Sequence, residues 1–507
     1  MPEKRFRILK WFDYTVQKNR LAVFDIPAGG VLLFLGNLGE KYMHTKKDLI
    51  HQFQQGDDYI VLDIASGSVH VVDDVTSDII GLWAELEKDE ITEKILEKYS
   101  NRDDVTREET LLTFEQIEIL INGNKLFSDD RFVPNIEKLK PKTQVLKAMC
   151  LHVAHTCNLT CDYCFARQGQ FCGEKALMSF ETGKQSLDFL IENSGTHRNL
   201  EVDFFGGEPL LNWEVVKQLV AYAREQEKVH NKNFRFTLTT NGVLLNDEVM
   251  EFSNREMQNV VLSLDGRKEV HDRLRRLGNG QGSYDVIVPA FQDFVAKRGK
   301  GSYYIRGTFT HFNRDFTNDI QHMLDLGFRE LSMEPVVSAP DDPYALSDKD
   351  LPQLFGEYEK LMNMMDDSEK KGDPFHFYHY TLDLAHGPCI YKRLKGCGSG
   401  TEYVAVTPWG ELFPCHQFVG DSAYSMGNVY EGILRPEICE EFSHCNVYEN
   451  EECQKCWARL YCSGGCAANA YHATGSVRGI YGLGCELFKK RMEYAIALQV
   501  LSAAAED

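Results

Sequence analysis

The sequence predicts an α/β chain built on a partial (β/α)6 barrel, with a winged-helix-like domain before it and a cysteine-rich domain after it. Three observations predict this. Short β-rich runs alternate with helical stretches from Lys147 to about Pro340, a hairpin pattern followed by three helical patterns precedes them, and the cysteines fall into two groups, Cys150 to Cys172 and Cys389 to Cys485, with none between. At 507 residues the chain is too long for one ordinary core, so roughly two to four domains are expected.

Residues 1–42 read as an N-terminal extension. Met43 opens MHTKKDLIHQFQQGDDYIVLDIASG like a fresh protein start, and the expectation is that Met43 is the initiator and the preceding residues are not translated. From Asp58, YIVLDIASGSVHVVD alternates apolar and polar residues about Ser66-Gly67, the pattern of a two-strand hairpin. Helical patterns follow over Ser77–Glu87, Glu90–Tyr99 and Arg107–Asn122, each with apolar residues three and four apart. Residues 43–126 therefore make the winged-helix-like domain, for which a packing role and peptide binding both stand open. The polar stretch 127–146, with Pro134 and Pro141, is a linker.

Residues 147–340 carry six β-rich runs, LHVAHT, LEVDFFGG, FRFTLTTNG, NVVLSLDG, YYIRGTFT and FRELSMEPV, separated by helical stretches such as Phe180–Asn193 and Trp213–Lys228. That alternation means parallel βα units, and reactive groups belong at the C-terminal ends of such strands. Residues 341–386 form a bridging helical segment around Leu351–Asp366, and 387–507 hold the second cysteine group.

The totals exclude several classes. A hydrophobic fraction of 43% and a charged fraction of 26% are those of a globular protein. No apolar run reaches the ~20 residues that span a bilayer, and MPEKRFRILKWFDY lacks the apolar centre of a secretory signal. A cytoplasmic protein with no membrane contact is expected. A net charge of -21 argues against tracking phosphates, so no nucleic acid partner is expected. Fifteen cysteines in a reducing compartment point to metal or redox chemistry rather than disulfides.

After LHVAHT the chain reads Cys157-Asn-Leu-Thr-Cys161-Asp-Tyr-Cys164, a C-x3-C-x2-C spacing. Three thiolates on one loop leave one iron of a four-iron cube open to an outside ligand. Structural zinc sites, the rival, usually show paired C-x2-C knuckles and close all four positions. With this spacing, and with aromatic Tyr163 beside the last cysteine, the chain resembles the radical S-adenosylmethionine (radical SAM) superfamily. The resemblance implies that the open iron chelates S-adenosylmethionine and that its cleavage yields a 5′-deoxyadenosyl radical. It also implies cofactor-positioning roles for Tyr163, for Gly206, Gly207, Glu208 and Pro209 of the GGEP element, for Thr239 and Asn241 of TTNG, for Ser263 and Asp265 of SLDG, and for Arg306 of YYIRGT. Capping and turn formation are the ordinary roles of such residues.

The C-terminal group runs Cys397, Gly410, Cys415, then Cys453-x2-Cys456-x5-Cys462-x3-Cys466, and Cys485. A single zinc ion held by Cys453, Cys456, Cys462 and Cys466 is one reading. The spacing also resembles the SPASM extension of radical peptide-modifying enzymes, which implies two auxiliary clusters and so three [4Fe-4S] clusters in all. By that resemblance Cys453, Cys456, Cys462 and Cys485 hold the outer cluster and Cys397, Cys415 and Cys466 the inner one, completed by Cys389 or left open to a substrate thiolate. Cys150, Cys172, Cys439 and Cys445 fit neither pattern and read as spare thiols.

The stretch GPCIYKRLKGCGSGTEYVAVTPWGELFPCHQFVG, with HVAHTCNLTCDYCFA and FFGGEPLLNW, is most similar to maturases that cross-link six-cysteine (SCIFF) ribosomal peptides through thioethers. That implies leader binding by 43–126 through strand addition, a precursor peptide as partner and an electron donor such as flavodoxin or ferredoxin. No catalytic side chain is expected beyond cluster and cofactor. The alternatives are a sulfatase-maturing or quinone-cofactor-maturing enzyme of the same architecture and, from another class, an electron-transfer or redox-sensing iron–sulfur protein.

Overall fold

The computed structural model describes residues 6–8, 45–130, 132–133, 136, 145–171, 173–384 and 389–505. Most of the extension 1–42, Cys172 and much of the linker 127–146 lie outside them.

The N-terminal domain is a four-stranded antiparallel sheet with three helices. Its strands β1 (Phe6–Ile8), β2 (Ile50–Gln55), β3 (Asp58–Asp63) and β4 (Val69–Val72) run in the order β1-β4-β3-β2. The β3–β4 turn forms where the alternation breaks. The buried Asp63 carboxylate accepts from Ser66 N and Oγ at 2.9 and 2.6 Å and from Ser128 N at 2.8 Å. Gly67 takes φ +75°, a conformation glycine adopts without penalty. Helices α1 (Asp74–Trp83), α2 (Lys88–Lys98) and α3 (Arg107–Asn122) follow. The first begins ahead of the expected Ser77 because the Asp73 side chain accepts from Thr76 N and caps it there.

Strand alternation gives this sheet two apolar faces. Val61 and Val72 pack on Ile79, Phe114 and Ile117 in the domain's own core. Ile60, Leu62 and Val69 instead enter the main core of the molecule, together with barrel residues and Ala495 and Ile496 near the C-terminus. The sheet is thus seated on the body. His51 stacks on Trp457 with ring centroids 3.9 Å apart and meets Glu493 at 2.9 Å, and Tyr448 donates to Asp130 at 3.0 Å.

The body is a parallel βα barrel left open on one side. Strand β5 (Ala148–His155) carries the short antiparallel β6 (Ala176–Leu177) and is followed by α4 (Phe180–Asn193), β7 (Asn199–Gly206), α5 (Trp213–His230), β8 (Asn233–Thr240), α6 (Asp247–Glu256) and β9 (Met257–Ser263). Then come α7 (Lys268–Leu274), α8 (Tyr284–Arg298), β10 (Ser302–Phe309), α9 (Phe316–Asp325) and β11 (Glu330–Pro335). In β7, Leu200, Val202 and Phe204 are buried among helix residues such as Leu187 and Val216, leaving Glu201, Asp203 and Phe205 for the opposite side.

The C-terminal segments complete the sheet. After α10 (Leu351–Lys370), β12 (His376–Phe377) pairs parallel to β11. Past α11 (Ile390–Lys395), β13 (Tyr403–Val406) pairs parallel to β5 on the other edge and opens a meander of β14 (Glu411–Phe413), β15 (Gly427–Asn428) and β16 (Gly432–Ile433). Short helices and the long α12 (Gly482–Ala505) end the chain. The β5–β13 seam is pinned by Glu402, whose carbonyl accepts from Lys147 N at 2.9 Å and whose buried carboxylate pairs with Lys147 and Lys395. Among the described residues no helix is long and apolar enough to cross a membrane.

Candidate functional site

The site is built at the C-terminal ends of β5, β7, β8 and β9, where the loops of a barrel converge. The loop leaving β5 carries Cys157, Cys161 and Cys164. It continues through Arg167, Gln168 and Phe171, non-glycine residues held at φ +45°, +60° and +48°, and such left-handed residues gather where surrounding structure over-determines the backbone.

The loop rests on the GGEP element by main chain alone. Gly207 N donates to Ala154 O at 2.7 Å and Glu208 N to Thr156 O at 3.0 Å. A Cβ added at Gly206 would meet Ala154 O at 2.3 Å, and one added at Gly207 would meet Thr156 O at 2.1 Å and Gly169 Cα at 3.0 Å. The two glycines therefore make room for the backbone of the cysteine loop.

Glu208 is buried and accepts three hydrogen bonds, from Leu210 N at 3.0 Å, Thr240 Oγ1 at 2.8 Å and Asn241 N at 2.8 Å. It clamps the end of β7 to the end of β8, and Pro209 opens the turn that follows it. Burial pushes its pKa up to about 7 in spite of these donors. The Asn241 side chain donates to Asn158 Oδ1 at 2.8 Å and reaches Cys157 Sγ at 3.6 Å, while Leu159 N points at the same sulfur from 3.4 Å. Amide donors aimed at a thiolate are among the levers that tune iron–sulfur ligands.

Tyr163 donates to Asp265 Oδ2 at 2.6 Å and accepts from the buried Arg275 at 2.7 Å. Asp265 also takes Thr308 N at 3.0 Å. Ser263 and Arg306 face one another in the β9–β10 register, and Arg306 extends, half exposed, to within 3.7 Å of Glu334. Thr239 lies on the half-open side of β8, and it is its neighbour Thr240 that reaches Glu208. The structure thus brings these residues into an arrangement of two hydrogen-bonded sets, one of Cys157, the GGEP element and Asn241, the other of Tyr163 and Asp265. Sequence reasoning missed Asn158, Thr240 and Arg275 in it. The parity of Thr240 with buried Leu238 is a readable signal, whereas Arg275 sits in the charged run DRLRR, which looks like a solvated face.

The C-terminal thiols sort into two neighbourhoods. Burial, then the nearby Cys462, Cys485 and Cys456, push Cys453 up to about 12, and burial with Cys462 and Cys456 pushes Cys485 up to about 11. Burial, then Cys466 and Cys397, push Cys415 up to about 12. Cys389 is exposed at the start of α11, with Arg393 close to both Cys389 and Cys462. Cys150 lies buried against Tyr403, and Cys445 donates to Val477 O at 3.3 Å. No disulfide joins the described cysteines, and among the described residues no three His, Cys, Asp or Glu side chains converge on one metal-ion position.

The donor chemistry of the first loop fits an iron–sulfur cluster. It offers three sulfurs from one turn of chain, with two amide donors directed at Cys157. Burial, then Glu208, pushes Cys157 up to about 11, and burial pushes Cys161 up to about 12 against the pull of Arg275. Metal loading would displace these protons. A buried imidazole pair underlies the site, His152 Nδ1 lying 3.1 Å from His155 Nε2. Burial lowers both, His155 to about 4.

Residues 151–324 match the family model described as the Radical SAM superfamily. The chain is 22% identical over 408 residues to the radical SAM cyclopropyl synthase TigE of Paramaledivibacter caminithermalis, covering 74% of this chain and 79% of that one. It is 26% identical over 371 residues to a cysteine-type anaerobic sulfatase-maturating enzyme of Clostridium novyi, covering 67% of this chain and 92% of that one. Among solved structures, native anSMEcpe with bound AdoMet and Kp18Cys peptide superposes with a TM-score of 0.58 at 22% identity, covering 71% of this chain and 99% of that chain. The last is a likeness of fold, and it leaves more than a quarter of the present chain without a counterpart there.

Proposed function

This chain belongs to the radical SAM superfamily, and on that premise we propose that it is a peptide maturase that installs a cysteine thioether cross-link in a ribosomally synthesised, cysteine-rich precursor. One observation supports the reading: the segment carrying Cys415 packs against the first cysteine loop. His416, next to Cys415, packs against Phe165, next to Cys164, with ring centroids 5.3 Å apart, and against Phe205 at the same separation. Two cysteine-bearing segments packed side by side suit a reaction that must both activate a carbon and hold a cysteine sulfur.

Cys157, Cys161 and Cys164 would hold the SAM-binding cluster, which with S-adenosylmethionine supplies a 5′-deoxyadenosyl radical. Tyr163, Gly206, Gly207, Glu208, Pro209, Thr239, Asn241, Ser263, Asp265 and Arg306 would seat the nucleotide, Asp265 and Arg275 fixing the Tyr163 ring and Glu208 fixing the β7 and β8 ends. Cys453, Cys456, Cys462 and Cys485 would hold the outer auxiliary cluster and Cys397, Cys415 and Cys466 the inner one, with Cys389 or a substrate thiolate as its fourth ligand. The leader would add a strand to the N-terminal sheet, and flavodoxin or ferredoxin would deliver electrons.

The test is anaerobic incubation of the reconstituted enzyme with S-adenosylmethionine, reductant and the cysteine-rich peptide encoded beside it. The expected product has lost two hydrogens per cross-link, with 5′-deoxyadenosine formed alongside. A peptide returned at its starting mass rejects the proposal. The likeness to a sulfatase-maturating enzyme over nearly its whole length favours a second reading, oxidation of a single cysteine or serine, which a sulfatase-derived peptide would reveal in the same assay.

A further inference from the structure

The N-terminal sheet is wider than its hairpin needs. The bond from Asp63 N to Ser68 O at 2.8 Å sets the phase of the β3–β4 ladder, in which Leu62 faces Val69, Val61 faces His70 and Ile60 faces Val71. Antiparallel partners alternate between bonded and non-bonded pairs, so His70 bonds across to Val61 while the N–H and C=O of Val69 and Val71 point to the other edge. A strand edge in that state accepts any extended chain that reaches it.

Here the chain itself reaches it. β1 pairs antiparallel on that edge, Phe6 opposite Val72, Arg7 opposite Val71 and Ile8 opposite His70. It is contributed by a segment reading Lys-Arg-Phe-Arg-Ile-Leu-Lys-Trp from Lys4 to Trp11, every residue either apolar or basic. The His70 ring is bonded to Lys125 O at 2.7 Å, just beyond the end of α3, and α3 leaves Leu112 42% and Ile119 69% exposed.

We infer that residues 6–8 occupy the outer edge of β4 in competition with the precursor's leader. The inference rests on the reading of residues 43–126 as the leader-recognition domain and on translation from Met1 in place of the start expected at Met43. The edge holds one strand at a time, so an incoming peptide binds only the fraction of molecules from which β1 has left. An edge covered nine times in ten weakens that peptide about tenfold. A three-residue strand is a small obstacle, and displacement needs no unfolding of the domain.

The probe is a fluorescein-labelled synthetic peptide of residues 4–11, read by anisotropy against three forms of the full reconstituted chain. Arg7→Pro removes the one N–H of β1 that the Val71 carbonyl accepts. Arg7→Lys keeps that N–H. The expected result is that the probe binds the Arg7→Pro chain about tenfold more tightly than the unaltered or Arg7→Lys chains, and that a probe carrying proline at its own position 7 binds none of them. The precursor should displace the probe, and its KM should fall by the same factor in the Arg7→Pro enzyme. Equal affinity for all three chains, or no saturable binding to the Arg7→Pro chain, overturns the occupancy of the edge. A tenfold difference with a precursor that leaves the probe in place overturns the leader reading and the competition with it, while the pairing of β1 on β4 stands.

Discussion

Replacing Gly207 by alanine tests how the cysteine loop is held. The glycine does not need a left-handed backbone, since only Gly206 of the pair has positive φ, at +127°, so any effect of the substitution comes from space. The new Cβ would lie 2.1 Å from Thr156 O, whereas ordinary contact begins at 3.4 Å. The obstacle is main chain on both sides, Thr156 and Gly169, so no rotamer change relieves it and the loop must retreat by more than an ångström. Retreat strains the bonds from Gly207 N to Ala154 O and from Glu208 N to Thr156 O. Overpacking costs ~1–3 kcal/mol and each of the two weakened backbone bonds about 1 kcal/mol, giving a destabilisation of about 3–5 kcal/mol. The displaced segment begins one residue before Cys157, so bound iron should fall with stability. The assay is a urea titration of the metal-free chain together with iron content per chain after reconstitution. Gly356→Ala is the control, for a Cβ there meets nothing within 4 Å and alanine suits the helix. A Gly207→Ala chain within 0.5 kcal/mol of the parent and fully loaded with iron would refute the packing argument.

Three further outcomes are expected. Replacing Cys157, Cys161 and Cys164 together by alanine should abolish 5′-deoxyadenosine formation while the C-terminal thiols still take up iron, as absorbance and iron analysis would show; unchanged turnover would reject the assignment. Burial, then the charge of Glu201, raises Asp203 from 3.8 to about 6, so the folded chain keeps a proton there that the unfolded chain has released, and stability falls as pH rises from about 4 to about 6. Asp203→Asn should remove that fall and make the metal-free chain more stable at pH 7 by up to about 3 kcal/mol; a parallel pH profile for parent and variant would contradict the cause given. Glu402→Gln should cost about 3–5 kcal/mol because it strands the nearly buried Lys395, and denaturant midpoints showing a smaller loss than for Lys147→Ala would place the clamp elsewhere.

What the sequence made legible was local. LEVDFF announces β7 because its apolar residues alternate, and Ser66-Gly67 announces a turn because only certain backbones close it. The three cysteines of the first loop and the GGEP element were readable because their spacing is short and the chemistry demands it. What was not legible depends on contacts between distant segments. Nothing in HFY or TEYVAV says that β12 and β13 extend the barrel sheet on opposite edges, and nothing in KRFRIL says that it lies along β4. Within the site, Thr239 and Thr240 are indistinguishable by composition, and the turn of the strand alone decides which hydroxyl meets Glu208. Arg275 escaped because a buried cation resembles its exposed neighbours until Tyr163 and Asp265 are seen around it.

The two-faced N-terminal sheet has one more consequence. Because Ile60, Leu62 and Val69 belong to the main core, the domain is a fixed outcrop of the enzyme rather than a reader swinging on a cord. Were the precursor caught there, as proposed, it would start from a constant address, and its reach to the cysteine loop would be counted in its own residues. The enzyme would then select by length as well as by sequence: shortening the spacer between the gripped segment and the cysteines would move the reacting residue stepwise along the precursor, as a shorter ruler reads a nearer mark.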